Sequence, residues 1–552
     1  MSTRTAVWAA AAPRRARGRL AAAVPVRRRD VAGPLPSARR AVWAVVAALA
    51  VGALAGCTTE QPGDLGPDTA YRPGTLRVLA SSELADMRPV LDAAAAKTGV
   101  TVRPTWAGTL DAVEQVASGK ADGTYDAVWL SSNDYLRLRP EAAGKLSSET
   151  PVMTSPVAIG VKPETVSRLG WKPETVTWSQ LHRAVADGEL TYGMTDPERS
   201  NSGFSALISV ASGLSGAQSA LTDADVKKAS PRLKEFFSGQ KLTSGSSGWL
   251  ASAYKRRGTV DAMINYESVL MSTGLTVIRP KDGVVTADYP FTLLNSAPQE
   301  ARKSGRALTE YLRGPEAQKA ITEKTFRRPV VTSVRPAAGL ATEPRRELPF
   351  PGTRSVADGL LDSYENTLRR PSRTVYVLDT SGSMEGERLD GLKAALLRLT
   401  GDFRVREEVT LMPFGSQVKR QLTHTLDPAD PDAGRAAIRK DAEGLSAQGD
   451  TAIFSSLRDA YAHLGGNPSA DTFTSVVLMT DGENTAGASA EDFESYYRGL
   501  PADQRHTPVF PILFGDSDRA ELERVAELTG GRLFDARKGS LDAAFEEIRG
   551  YQ

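Results

Sequence analysis

Thiol and imidazole side chains are scarce: 552 residues contain one cysteine and four histidines. The lone thiol, Cys57, excludes a disulfide framework within the chain. His182, His424, His463 and His506 are scattered without zinc spacing, so a histidine-ligated metal is not expected. Excess charge is lacking as well. The 68 Lys and Arg against 66 Asp and Glu leave a formal net charge of +2, and much of the positive charge lies before residue 41. Such a balance leaves no footprint for nucleic acid or an acidic polymer, and neither partner is expected. Long apolar runs are missing except for Ala41–Gly56, about 16 residues, where a spanning helix needs roughly 20. What is present, 41% hydrophobic and 24% charged residues, is the composition of globular protein, and the length calls for two or three domains.

The apolar run follows Arg39-Arg40 and ends in Leu54-Ala55-Gly56-Cys57. Its length and basic flank have the pattern of a secretion signal. The last four residues resemble a bacterial lipobox, in which small residues admit the signal peptidase and the thiol is acylated. A marginal membrane anchor with an incidental thiol is the other reading. The resemblance implies a signal peptide over 1–57 closing on a lipidated Cys57. A polar, Pro/Gly-rich tether follows over 58–73. The expected location is the extracytoplasmic face of the cell membrane, held by the lipid.

From Gly74 short apolar runs alternate with helical patterns. Leu76–Ala80, Val100–Trp106 and Tyr125–Leu130 read as strands, and Met87–Thr98 as an amphipathic helix. This continues to about Pro336. A Pro/Arg/Glu-rich connection and a linking helix at Val356–Leu368 fill 337–372, and a second α/β series occupies 373–552. Its strands, Thr374–Asp379, Glu408–Phe414, Thr474–Asp481 and Thr507–Phe514, are nearly continuous apolar runs, as parallel strands covered on both faces require. Leu389–Phe403, Ile453–Leu464 and Arg519–Thr529 carry helical periodicity.

Three loops of this second series carry the chemistry. Asp379 closes an apolar strand and is followed by Thr380-Ser381-Gly382-Ser383-Met384, a carboxylate and two hydroxyls at alternate positions of a glycine-containing turn. Asp481-Gly482 follows another strand, which places a second carboxylate at the edge where open parallel sheets bind ligands. Thr451, in Gln448-Gly449-Asp450-Thr451, precedes a helix and offers a third hydroxyl. Oxygen donors of this kind suit Mg²⁺, Mn²⁺ or Ca²⁺ rather than zinc or copper.

Taken together, these three motifs resemble the metal-ion-dependent adhesion site of von Willebrand factor A domains, over about Arg373–Gln552. The resemblance implies a doubly wound, Rossmann-like α/β domain with a divalent metal at Asp379, Ser381, Ser383, Thr451 and Asp481. It further implies that the serines bind the ion directly, the aspartates largely through water, and that one position takes an acidic group of a protein or ligand. No nucleophile–base pair is evident in these loops, so binding and not catalysis is expected.

In 74–336 four strands each end in Ser, Asn or Gly. They are Ala80-Ser81-Ser82-Glu83, Tyr125–Ser132, Tyr192–Pro197 leading to Ser200–Phe204, and Ala262–Glu267. These runs resemble the two-lobed, periplasmic extracellular solute-binding proteins. Helix N-termini with free N–H groups favour anions. Ser81, Ser82, Ser131, Ser132, Asn201, Ser202 and Tyr266 are therefore the expected wall of a pocket for a small polar or anionic solute, although any one of them also suits a helix cap. The whole reads as a lipid-anchored binding protein. The alternative is the substrate-binding subunit of an ABC-type importer with an accessory A domain.

Overall fold

The expected strand–helix alternation builds three sheets in the computed structural model, which describes residues 74–552 except 466–471, 503, 516, 538–540 and 552. The signal segment, Cys57 and the tether lie outside the described residues. Twelve strands come first: β1 (Thr75–Ser81), β2 (Thr101–Ala107), β3 (Ala127–Trp129), β4 (Leu146–Pro151), β5 (Met153–Val161) and β6 (Tyr192–Thr195), then β7 (Gln240–Ser244), β8 (Ala262–Tyr266), β9 (Thr276–Ile278), β10 (Thr286–Ala287), β11 (Pro290–Leu294) and β12 (Arg328–Pro329).

The first lobe is a sheet of order β2-β1-β3-β11-β4, in which β1 runs parallel to both β2 and β3. The helix Arg88–Thr98 makes the first crossover. Proline near its N-terminus carries no N–H to leave unsatisfied there, and Gly99 at φ 71° ends it in the left-handed conformation. The second lobe has the order β10-β5-β8-β6-β7, with β9 and β12 also pairing with β5. The chain crosses between lobes three times, from β4 to β5, from β10 to β11, and from the helix Pro315–Thr325 into β12. Two of the crossings hold a non-glycine residue at positive φ, Tyr289 at 43° and Phe326 at 55°. Side chains there are uncommon, and surrounding structure must hold them.

The third sheet is built from β13 (Ser372–Asp379), β14 (Glu407–Phe414), β15 (Leu422–Thr425), β16 (Phe473–Thr480), β17 (Val509–Leu513) and β18 (Phe534–Asp535). Its order is β15-β14-β13-β16-β17-β18, parallel except where β15 returns antiparallel on β14. Successive side chains of a strand point to opposite faces, and β13 shows the consequence. Tyr376 and Leu378 join one core with Leu392 and Leu396 of the helix Glu387–Leu399 and with Phe545 of Leu541–Arg549. Val375 and Val377 join the other with Phe454 and Leu457 of Ile453–Leu464 and with Phe493 of Ala490–Gly499. Helices cover both faces, so the middle of the central strand, Val375–Leu378, is apolar on both of them, as its sequence suggested.

The stretch 337–372 is more than a connection. Glu347 bridges to Val284, and the helix Arg354–Ser363 buries Val356, Ala357, Leu360 and Leu361 in the core of the preceding domain. A single π turn, Tyr364–Leu368, completes it before β13. All the described residues lie in one compact unit, Asp64–Gln552.

Candidate metal centre and polar cleft

At the C-terminal ends of β13 and β16, Asp379 and Asp481 are fully buried, Ser381 is 1% exposed, and Ser383 faces solvent. The turn after β13 folds around Asp379: the Ser381 backbone N–H donates to its Oδ1 at 2.8 Å, and Thr480 Oγ1 donates to Oδ2 at 2.7 Å. Ser381 Oγ and Ser383 Oγ lie 3.0 Å apart, and Ser383 Oγ donates to Asp481 Oδ1 at 2.9 Å. The third loop docks by backbone. Gly382 donates to Gly449 O and Gln448 to Thr380 O, each at 2.8 Å. A Cβ at Gly415 would lie 2.3 Å from Gln448 O, so this approach requires glycine. Thr451 is 5% exposed, and the Thr485 hydroxyl accepts from its N–H at 2.9 Å. Asp379, Ser381, Ser383 and Asp481 therefore meet at one sheet edge, and the loop that carries Thr451 docks beside them through Gln448 and Gly449.

Burial pushes the Asp379 carboxyl above its usual range, the donors on Ser381 and Thr480 offset part of this, and the nearby Asp481 charge adds to it. Two cations approach. Arg388 Nη1 lies 2.5 Å from Asp481 Oδ2, and Lys419 Nζ donates to Thr380 O at 2.7 Å and to Ser446 O at 3.0 Å. No group of three or more His, Cys, Asp or Glu suited to a metal lies among the described residues. This centre has only two carboxylates, and its other candidate donors are hydroxyls. Such a set fits a hard divalent ion that keeps much of its charge for another ligand.

Where the two lobes meet, a second polar cluster is buried, with Ser81, Thr109, Ser131, Asn201, Tyr266 and Tyr289 each at most 3% exposed. In the first lobe Ser81 Oγ lies 3.0 Å from Thr109 Oγ1, and Thr109 Oγ1 lies 3.2 Å from Ser131 Oγ. From the second lobe Asn201 Nδ2 donates to the Tyr266 hydroxyl at 3.0 Å. Burial raises that hydroxyl well above its usual range, with Ser131 and Asn201 as polar neighbours. The ring of Tyr266 meets that of Tyr289 edge-on at 5.9 Å, and the Arg327 guanidinium stands 4.9 Å from the Tyr289 ring centre. Ser81, Ser131, Asn201 and Tyr266 thus gather, while Ser82, Ser132 and Ser202 do not join the bonds among them. Ser82 opens a short 3₁₀ helix, Ser132 accepts from the Asp134 N–H, and Ser202 is bonded within its own lobe to Thr195, Ser200 and Ser247.

Thr109, Tyr289, Arg327 and Arg388 escaped the sequence reading. Arg327, fully buried, donates from Nη1 to both Asp86 oxygens at 2.8 and 2.7 Å. Arg328 grips Glu267 of the second lobe at 2.7 and 2.8 Å. Nothing in the local sequence marks these arginines, because their partners are distant in the chain.

Residues 76–327 match the bacterial extracellular solute-binding protein family, and residues 374–483 match the von Willebrand factor type A domain. Among curated proteins, the chain is 27% identical over 167 residues to inter-alpha-trypsin inhibitor heavy chain H4 of Sus scrofa, covering 29% of this chain and 18% of that protein. The chain thus spans about a fifth of the length of the heavy chains it matches, 18% and 20% for the porcine and human H4 proteins. Among solved structures, the periplasmic binding protein AfuA from Actinobacillus pleuropneumoniae aligns at 13% identity and a TM-score of 0.43, over 53% of this chain and 97% of that one. A von Willebrand factor type A structure from Catenulispora acidiphila aligns at 19% identity and a TM-score of 0.28, over 33% of this chain and 42% of that one. The chain joins a solute-binding-protein domain to a von Willebrand factor type A domain, each of α/β fold.

Proposed function

We propose that the protein is an extracytoplasmic binding protein, lipid-anchored at Cys57, whose A domain recognises an acidic group of a protein or ligand through a divalent metal. The observation that supports this reading is the meeting of Asp379, Ser381, Ser383 and Asp481 on one sheet edge, with Ser383 open to solvent and the Thr451 loop docked beside them. A bound ion of the Mg²⁺, Mn²⁺ or Ca²⁺ kind supplies Lewis acidity toward a carboxylate. The chain's own part is to hold the hydroxyls and buried carboxylates in place, with Thr480 and the Ser381 N–H fixing Asp379. Mass analysis of membrane-extracted protein tests the acyl group on Cys57.

The solute-binding domain supports a second role, or the importer-subunit alternative. The Tyr289 side chain is fully buried where the lobes meet, with the Arg327 guanidinium beside it. The positive charge of Arg327 is already met by Asp86. A neutral polar solute therefore suits the cleft better than an anion.

The central test is metal-linked stability of the full chain. An ion that binds only the folded state stabilises by about 2.7 kcal/mol at a hundredfold excess over its dissociation constant. Saturating Mg²⁺, Mn²⁺ or Ca²⁺ is expected to raise the Tm of the wild type but not of Asp379→Ala. A shift of equal size in both would overturn the site.

A further inference from the structure

Asp481 is the one carboxylate of the metal centre that already holds a cation. Both Asp379 oxygens accept from neutral donors, Ser381 N–H and Thr480 Oγ1. Asp481 is fully buried; its Oδ1 accepts from Ser383 Oγ, and its Oδ2 meets Arg388 Nη1 at 2.5 Å. Arg388 enters from the first turn of the helix Glu387–Leu399, directly after Gly386 at φ 86°. It is tethered five residues beyond Ser383, and its side chain is 39% exposed.

We propose that Arg388 is a built-in competitor for the divalent ion, holding Asp481 in the metal-free state and leaving it when metal binds. The inference deepens the metal reading above and rests on it. A buried carboxylate without a counter-charge is costly, so Arg388 stabilises Asp481 whenever no ion pairs with it. A divalent ion beside the same carboxylate would stand within a few ångströms of the guanidinium, where like charges repel strongly in a poorly solvated pocket. The two cations therefore exchange at Asp481 rather than add. Partial exposure, 39% of the side chain, gives the guanidinium a short path to water. Arg388 thereby sets the metal concentration at which the A domain becomes competent to bind. Lys419 does not compete in this way, because its ammonium is held by the carbonyls of Thr380 and Ser446.

The test is Mn²⁺ titration of the full chain by calorimetry, comparing wild type, Arg388→Gln, Arg388→Lys and Asp379→Ala. Arg388→Gln is expected to bind Mn²⁺ about tenfold more tightly, and its Tm without metal is expected to fall below the wild type's. Arg388→Lys, a point charge without the planar fork, is expected between the two and carries the same comparison should the glutamine variant fold poorly. Arginine variants no tighter than wild type, with Asp379→Ala unable to bind, would overturn the competitor and leave the metal site standing. Absence of Mn²⁺ binding in both wild type and Arg388→Gln would overturn the metal site itself and the competitor with it.

Discussion

Asp288 sits at the second crossing between the lobes, next to Tyr289. Its Oδ1 is buried without a hydrogen-bond partner among the described residues. Burial and the neighbouring Asp134 push its carboxyl from 3.8 up to about 6, with Arg137 opposing. A carboxyl raised on folding binds its proton more tightly in the native state. Its stabilising contribution is complete below about pH 4 and is lost as pH rises through 6. Asp288→Asn keeps the shape without the charge, so its Tm is expected to match wild type near pH 4 and exceed it above pH 7. The expected gain is about 1–2 kcal/mol after allowance for solvent screening. Parallel Tm–pH curves for the two proteins would refute the assignment. At this scale legibility follows distance along the chain. Asp379, Ser381 and Ser383 could be read because one turn of five residues carries them. Arg327 could not, since Asp86 lies 241 positions away, and Arg388 finds Asp481 only once β13 and β16 are adjacent.

Among the elements, two helices were read to the residue, while the one expected at Leu389–Phe403 runs Glu387–Leu399. The helix expected at Ile453–Leu464 has those bounds, as does Arg519–Thr529. The helix after Val356 shows what periodicity leaves out, namely what the apolar face packs against. Arg354–Ser363 clamps both lobes. The Tyr135 hydroxyl of the first lobe donates to Asp358 at 2.7 Å, and Arg354 reaches Glu141 of that lobe at 3.4 Å. Phe350 and Tyr364, on either side of the helix, meet Phe204 and Phe237 of the second lobe edge-on at 5.4 and 5.3 Å. Tyr135 also meets Phe204 directly, at 5.5 Å. Leu360 is fully buried beneath the helix. Leu360→Ala is expected to cost about 2–5 kcal/mol in chemical denaturation, whereas a loose tether would leave the midpoint unchanged. The same clamp predicts that any opening of the lobes requires more than a free hinge, because it strains Tyr135–Asp358 and Phe204–Phe350 together.

Across the whole molecule, the same chain that clamps the lobes runs straight into β13, whose last residue is Asp379. The junction is ionic and buried. Arg404 of the A domain pairs with Glu365 of the π turn and, at 2.6 Å, with Glu198 of the second lobe. Glu365 also meets Arg369 at 2.8 Å, and Arg549 meets Glu407 at 2.7 Å. Nearby, the Arg532 guanidinium lies 3.4 Å from the ring centre of Trp249. Burial holds the Glu365 carboxyl up at about 7 despite its arginine partners, Asp196 and Glu198 adding to the rise. Removing one partner of a buried ionic cluster is far more damaging than trimming an exposed one. Arg404→Ala is therefore expected to destabilise the full chain by about 3 kcal/mol, and Glu198→Ala, at a partly exposed position, by about 1 kcal/mol or less. Loss of Arg404 removes the charge that most lowers the Glu365 carboxyl, so its folded value rises further. Stability held by a raised carboxyl is lost as pH rises, and the penalty of Arg404→Ala should accordingly be larger at pH 8 than at pH 6. Calorimetry reads both effects. The wild type is expected to unfold in one transition and Arg404→Ala in two, because the knot joins the A domain to the clamp. A wild type that already unfolds in two transitions, with a pH-independent cost of Arg404→Ala no greater than that of Glu198→Ala, would show that the two domains are energetically separate.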